Sequence, residues 1–133
     1  MSTPVSTQVS TNTVSERRLA MCLDIGGTNI KAGLITRSGQ ILAATHRETP
    51  EKSPPEQMAR TILQIIDDLC HQTETKVGEI DGIGISIAAF ITADGLITAT
   101  AHLSQELVNW NIRNRLMEDL PTNYYFALDV PAP

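Results

Sequence analysis

The sequence predicts an α/β domain on a mixed sheet, with antiparallel strands first and parallel strands after. Three observations predict it. Leu19 to Glu48 holds three successive apolar segments separated by glycine turns. A long amphipathic segment follows, and beyond it comes a β-branched run, Ile83-Gly84-Ile85-Ser86-Ile87. The resulting order β-β-β-α-β-α-β requires right-handed crossovers once helices intervene between strands.

Leu19 to Ile25 reads as a buried strand, in which Cys22 is expected to be a small core residue. Asn29 to Arg37 is the second strand, and Gln40 to Glu48 the third after the Ser38-Gly39 turn. Thr49 to Pro55 contains Pro50, Pro54 and Pro55, which break the sheet and deliver a helix. That helix is expected from Glu56 to Thr73, with Met58, Ile62, Ile65, Ile66 and Leu69 on one face. It is read as a packing helix without chemistry. Asp81 to Ala89 is expected to be a strand buried on both faces and lying next to the first one. Phe90 to Thr100 alternates around Asp94-Gly95, a hairpin signal. Ile112, Leu116 and Leu120 at fourfold spacing give a second helix over Asn111 to Asp119, stopped near Pro121, and Tyr124 to Leu128 is the last strand.

A chain of 133 residues fits one domain, and at that size about two thirds of the unfolded surface can be buried. The formal net charge of -5 gives nucleic-acid phosphate no electrostatic reason to bind. Cys22 and Cys70 are too few and too far apart for a disulfide framework or a cysteine-rich zinc site, and His46 and His71 lack ligand spacing. Residues 1–18 are rich in Ser and Thr, without a basic start or a long apolar run. They read as a flexible tail, neither secretory signal nor membrane span, ahead of a globular unit over residues 19–133, and the expected compartment is the cytoplasm.

The chemistry concentrates in Leu23-Asp24-Ile25-Gly26-Gly27-Thr28-Asn29-Ile30-Lys31, a strand, a glycine turn and a second strand. Paired glycines let backbone amides converge on a phosphate with no Cβ in the way, and the Thr28 hydroxyl adds a donor. Asp24 suits a hard magnesium ion that travels with nucleotide phosphates and keeps most of its water, and Lys31 supplies a cation. An ordinary hairpin with a solvated Asp24 is the competing reading of Asp-x-Gly-Gly-Thr taken alone.

The flanks decide between them. With Lys31-Ala32-Gly33-Leu34-Ile35 and Ser38-Gly39-Gln40-Ile41-Leu42-Ala43 behind it, the segment resembles the first phosphate motif of the sugar-kinase, actin and heat-shock ATPase superfamily, most closely in the ROK family of sugar kinases and repressors. The resemblance implies a ribonuclease-H-like core of the actin and hexokinase type, ATP and magnesium as cofactors, and a hexose as substrate. Kinases of that superfamily have two lobes, so the chain resembles the amino-terminal lobe alone, inactive without a second lobe or partner chain. The family's Cys- and His-rich zinc motif belongs to the second lobe, and no zinc site is expected here. Family repressors carry a helix-turn-helix segment ahead of the phosphate motif, for which residues 1–18 are too short.

At the carboxyl end the family closes its last strand with Asn-Asp, the Asp being the catalytic base and the Asn a sugar contact. The resemblance places Asp129 on that base, with Leu128 at the Asn position; the carboxylate would take the hydroxyl proton of the attacking sugar. A strand-end Asp that caps a turn is the alternative. Asp24 and Asp129 are expected at the carboxyl ends of neighbouring strands, facing one cleft. Val130-Pro131-Ala132-Pro133 departs from the family's small-residue helix, and Ser86-Ile87-Ala88-Ala89-Phe90 replaces a Pro-Gly-Pro loop. His102 stands where the family has a sugar-side Asn; it is a substrate-binding candidate, though a solvated loop histidine is the favoured reading. Trp110 reads as an anchor for the second helix. A non-catalytic relative that binds a partner chain or phosphometabolite and a repressor effector domain are the rival functions. An open interlobe face leads to the expectation of an apolar patch near the carboxyl end, or of self-association into a homo-oligomer.

Overall fold

The computed structural model describes residues 18–52 and 54–128, the Leu128 side chain excepted. All of the expected tail but Arg18, and the expected base Asp129, lie outside these residues. Seven strands and two α-helices occur among them: β1 (Leu19–Ile25), β2 (Asn29–Thr36), β3 (Ile41–Glu48), α1 (Pro55–Gln72), β4 (Ile80–Ile87), β5 (Ala89–Ile91), β6 (Ile97–Thr100), α2 (Ile112–Asp119) and β7 (Tyr124–Leu128). Short 3-10 turns at Val77–Glu79 and Gln105–Leu107 were not expected.

The main sheet has the order β3-β2-β1-β4-β7. The first three strands meander antiparallel, whereas β4 runs parallel to β1 and β7 parallel to β4. The expected adjacency of the first strand and the Asp81–Ala89 segment is therefore present. β7, however, pairs with β4, so β4 separates the strand carrying Asp24 from the strand that leads to Asp129.

Alternation decides which face is core. Met21, Leu23 and Ile25 of β1 lie level with Leu34, Ala32 and Ile30 of β2 and with Ile83, Ile85 and Ile87 of β4, and all nine are buried in one cluster with Met58, Ile62, Ile65, Ile66 and Leu69 of α1 and Ile112 and Leu116 of α2. Both helices thus cover the same sheet face. The other face carries Cys22, Asp24, Lys31, Gly33, Gly84 and Ser86 in register, which corrects two expectations. Cys22 is exposed, because its position in the alternation points it away from the helices. β4 buries its isoleucines on the helix side only, and presents Gly82, Gly84 and Ser86 on the other. Tyr125 of β7, level with Gly84, is 64% exposed on that same face, and Phe90 of β5 is also exposed.

α1 begins with Pro55 in its first turn, where the missing N–H would have no helical acceptor anyway. Asn111 caps α2 by accepting from the Asn114 N–H at 2.8 Å, and Trp110 packs partly buried against the core just before it. Arg115 of α2 donates from both sides of its guanidinium to Glu56 of α1, at 2.8 and 2.7 Å, and to Asp119 at 3.0 Å. Those hydrogen bonds hold the Glu56 carboxyl down to about 2 and raise the Arg115 pKa in return. No helix among the described residues is long and apolar enough to cross a membrane.

Candidate functional site

The pair Ile25 and Ile30 closes a four-residue turn, Gly26 to Asn29, with the Gly26 N–H donating to the Asn29 carbonyl at 2.9 Å. β3 runs parallel to β1, so the residue that follows it, Thr49, emerges at the same sheet edge as this turn. Thr49 is only 6% exposed. Its Oγ1 donates to the Gly26 carbonyl at 2.7 Å and its N–H to the Thr28 carbonyl at 2.9 Å. Two carbonyls of the turn are thereby drawn toward Thr49. The N–H groups of Gly27 and Thr28 have no acceptor among the described residues.

The opposite side of the turn meets the 101–104 segment. A Cβ built on Gly27 would lie 2.8 Å from the His102 Cβ and 2.9 Å from its carbonyl oxygen, so this glycine is demanded by close packing. Gly26 and Gly27 do not adopt positive φ. The His102 side chain is exposed, as the solvated reading expects, yet its main chain abuts the glycine turn. That segment is itself pinned: the Thr100 hydroxyl donates to the Leu103 carbonyl at 3.0 Å, and Gln105 Nε2 donates to the Thr100 carbonyl at 3.0 Å.

Gly27 lies at the rim of two hollows. One, of about 630 Å³, extends past Thr28 and Thr49 toward Arg47, Gln57 and Gln64, and the other, of about 430 Å³, lies between Thr49–Lys52 and Ala101–Ser104. Arg47 forms an ion pair with Asp68 of α1, which fixes the wall of the first. Asp24 and Lys31 lie elsewhere. They are directly opposed on β1 and β2, with Ser86 next to Asp24 on β4, and they line a shallow hollow of about 500 Å³ on the face opposite α1 and α2. Of the residues expected to form one phosphate and magnesium set, Gly26, Gly27 and Thr28 stay with the turn, whereas Asp24 and Lys31 look onto the sheet face.

Asp129 lies outside the described residues; the strand leading to it ends at Leu128, level with Ile87 and hence with Ile25. Thr49 escaped the sequence reading, because a lone Thr before Pro50 looks like any loop start. Its partners are 21 and 23 residues away in the chain. The available signal was topological: a third strand parallel to the first must deliver its successor to the glycine turn.

Residues 20–132 match the model of the ROK family. The chain belongs to the ROK family. Solved structures similar to it include a ROK hexokinase from Thermus thermophilus, at 20% identity and a TM-score of 0.72 over 84% of this chain and 35% of that one. A ROK family glucokinase from Streptomyces griseus in complex with glucose and AMPPNP gives 18% identity and a TM-score of 0.71 over 84% and 33%. A ROK family transcriptional regulator, a homolog of the E. coli MLC protein, gives 13% identity and a TM-score of 0.72 over 85% and 28%. At these identities the likeness establishes the fold, the α/β mixed sheet expected of the family. This ROK chain spans about a third of the length of these three structures. No curated protein matches its sequence.

Proposed function

We propose that this ROK chain forms the phosphate side of a sugar kinase and, completed by a second lobe, transfers the γ-phosphoryl group of ATP to a hexose hydroxyl, at carbon six. The observation that carries the reading is the position of the glycine turn. It stands at the carboxyl end of β1 between two polar hollows, one of which it shares with the His102 segment, and ligands of open α/β sheets bind outside such strand ends. In this reading the unit over residues 19–133 is the amino-terminal lobe, and the N–H groups of Gly27 and Thr28 hold phosphate oxygens, while Gly26, whose N–H is taken by the Asn29 carbonyl, shapes the turn that presents them. Lys31 adds positive charge from the adjoining sheet face and not from the turn itself, the His102 segment faces the sugar, and Asp129 takes the proton from the attacking hydroxyl.

The donor set fits magnesium as a phosphate-borne ion. Among the described residues no cluster of three His, Cys, Asp or Glu groups exists to cage a metal. A single carboxylate with water and substrate phosphates is the usual magnesium environment, and Asp24 is the candidate carboxylate. When bound, the ion would offset charge on the phosphoryl oxygens.

A second reading is favoured by Leu128, which occupies the position where the family resemblance calls for a sugar-contacting Asn. Under it the chain is a non-catalytic relative that holds a phosphometabolite or a partner. The deciding experiment joins the chain to the second lobe of a ROK hexokinase and follows ATP-dependent hexose phosphorylation in a coupled assay. The kinase reading expects turnover that falls about 10²–10⁴-fold in Asp129→Asn. A folded chimera that binds ATP and glucose but never transfers phosphate supports the second reading instead.

A further inference from the structure

We infer that Thr49 is a positioning residue whose side chain aims the Gly27 N–H at the bound phosphate. The inference rests on the phosphate reading of the glycine turn and adds a residue to it. The Gly26 carbonyl and the Gly27 N–H belong to one planar trans peptide and point in opposite directions. Fixing the carbonyl therefore fixes the amide. The Thr49 hydroxyl donates to that carbonyl at 2.7 Å from a site that is 6% exposed, and the Thr49 N–H holds the Thr28 carbonyl at 2.9 Å, so the two peptides that flank Thr28 and Gly27 are set by one residue. The Gly27 amide, turned away from Thr49, is one of the two in the turn with no acceptor among the described residues.

A buried threonine could serve the fold alone, but packing would be satisfied as well by valine, which has the same shape. The hydroxyl is what sets the peptide plane. Burial of Thr49 limits competition by water for its hydroxyl, so the orientation is maintained before any ligand arrives. An anion would then meet a preoriented donor and would not have to turn the peptide itself.

The test uses the 133-residue chain, labelled with ¹⁵N, with magnesium ATP as probe. In the free protein the Gly27 amide should exchange rapidly with solvent, while the Gly26 amide, bonded to the Asn29 carbonyl, is protected. Magnesium ATP should shift the Gly27 amide. Thr49→Val should bind the probe about tenfold more weakly and lose that shift, and Thr49→Ser should restore both, since a hydrogen bond to an ionised group is strong enough to be read as an affinity change of that size. A purely structural Thr49 would lower the melting temperature without separating Ser from Val in affinity. Equal binding by wild type and folded Thr49→Val overturns the inference alone. Absence of any shift at residues 26–28 in the wild type overturns the phosphate reading and the inference with it. Should Thr49→Val not fold, the free wild-type exchange decides: a Gly27 amide as protected as that of Gly26 overturns the inference, and an open Gly27 beside a protected Gly26 supports it.

Discussion

Replacing Gly27 by alanine should unsettle the turn through sterics and not through backbone torsion. The residue does not have positive φ, so alanine fits the backbone. Its added methyl would stand 2.8 Å from the His102 Cβ and 2.9 Å from the His102 carbonyl oxygen, where carbon atoms in contact rest about 3.5–4.0 Å apart. The 101–104 segment would have to retreat by roughly half an ångström or more. It resists, being tied through Thr100 and Gln105 and anchored by the buried Leu103. Overpacking of that kind costs about 1–3 kcal/mol. In a urea titration followed by circular dichroism, with a slope of about 1.5–2 kcal/mol/M, the midpoint should fall by roughly 1 M. Gly84→Ala is the control: nothing lies within 4 Å of a Cβ there, and alanine in a strand interior should add about 0.5 kcal/mol by restricting the unfolded chain. His102→Gly removes one of the two collisions, so the double variant should recover part of the loss. If Gly27→Ala proved as stable as wild type, the close approach of the two segments would be wrong.

Other consequences follow from the packing and the ion pairs. The Glu56 carboxyl, normally near 4.5, is held at about 2 by Arg115, so its contribution is complete above pH 4.5 and is lost as pH falls toward 2; melting temperatures should drop more steeply over that range in wild type than in Glu56→Gln, and parallel profiles would refute the bridge. Ile62→Ala should cost about 2–5 kcal/mol because the side chain is fully buried between α1 and the sheet. Arg60→Ala, whose side chain is 77% exposed, should stay within about 0.5 kcal/mol in the same denaturation assay. A thiol reagent should label Cys22 rapidly in the native protein and Cys70 only after unfolding, since Cys22 is exposed and burial both covers Cys70 and pushes its thiol pKa up; equal rates would contradict the assignment of sheet faces.

Local patterns carried most of the architecture. The strands of the first meander, the α1 face and the α2 cap are written in alternation, fourfold spacing and side-chain type, and the boundaries of α1 moved by a single residue from Glu56–Thr73 to Pro55–Gln72. Faces were harder. Leu19-Ala20-Met21-Cys22-Leu23 is apolar at every position, so nothing in the run says that Cys22 points away from the helices; that depends on where α1 and α2 dock. The site was legible as a motif and illegible as an assembly. Asp24, Gly27, Thr28 and Lys31 are close in sequence, yet strand alternation sends Asp24 and Lys31 to the sheet face while the turn stays at the edge. Contacts that bridge long stretches of chain, such as Thr49 with Gly26, Gly27 with His102 and Glu56 with Arg115, have no local signature.

The same contacts weigh on the competing reading of the glycine turn as a plain hairpin. A tight hairpin selects glycine for positive φ at its central positions, and the structure uses that solution elsewhere, at Gly39 and Gly95 with φ of 92 and 95°. Gly26 and Gly27 have no such torsion, so backbone torsion does not demand glycine at either position. What excludes a side chain at Gly27 is the Cβ and carbonyl of His102, brought in by a hairpin that hangs from β4, and what orders the turn from the other side is Thr49 at the end of β3. β1, β3 and β4 all run in one direction, so each delivers its following segment to one edge of the sheet. The glycine at position 27 is therefore explained by the convergence of three segments at a strand-end cleft, which a solitary hairpin would not require.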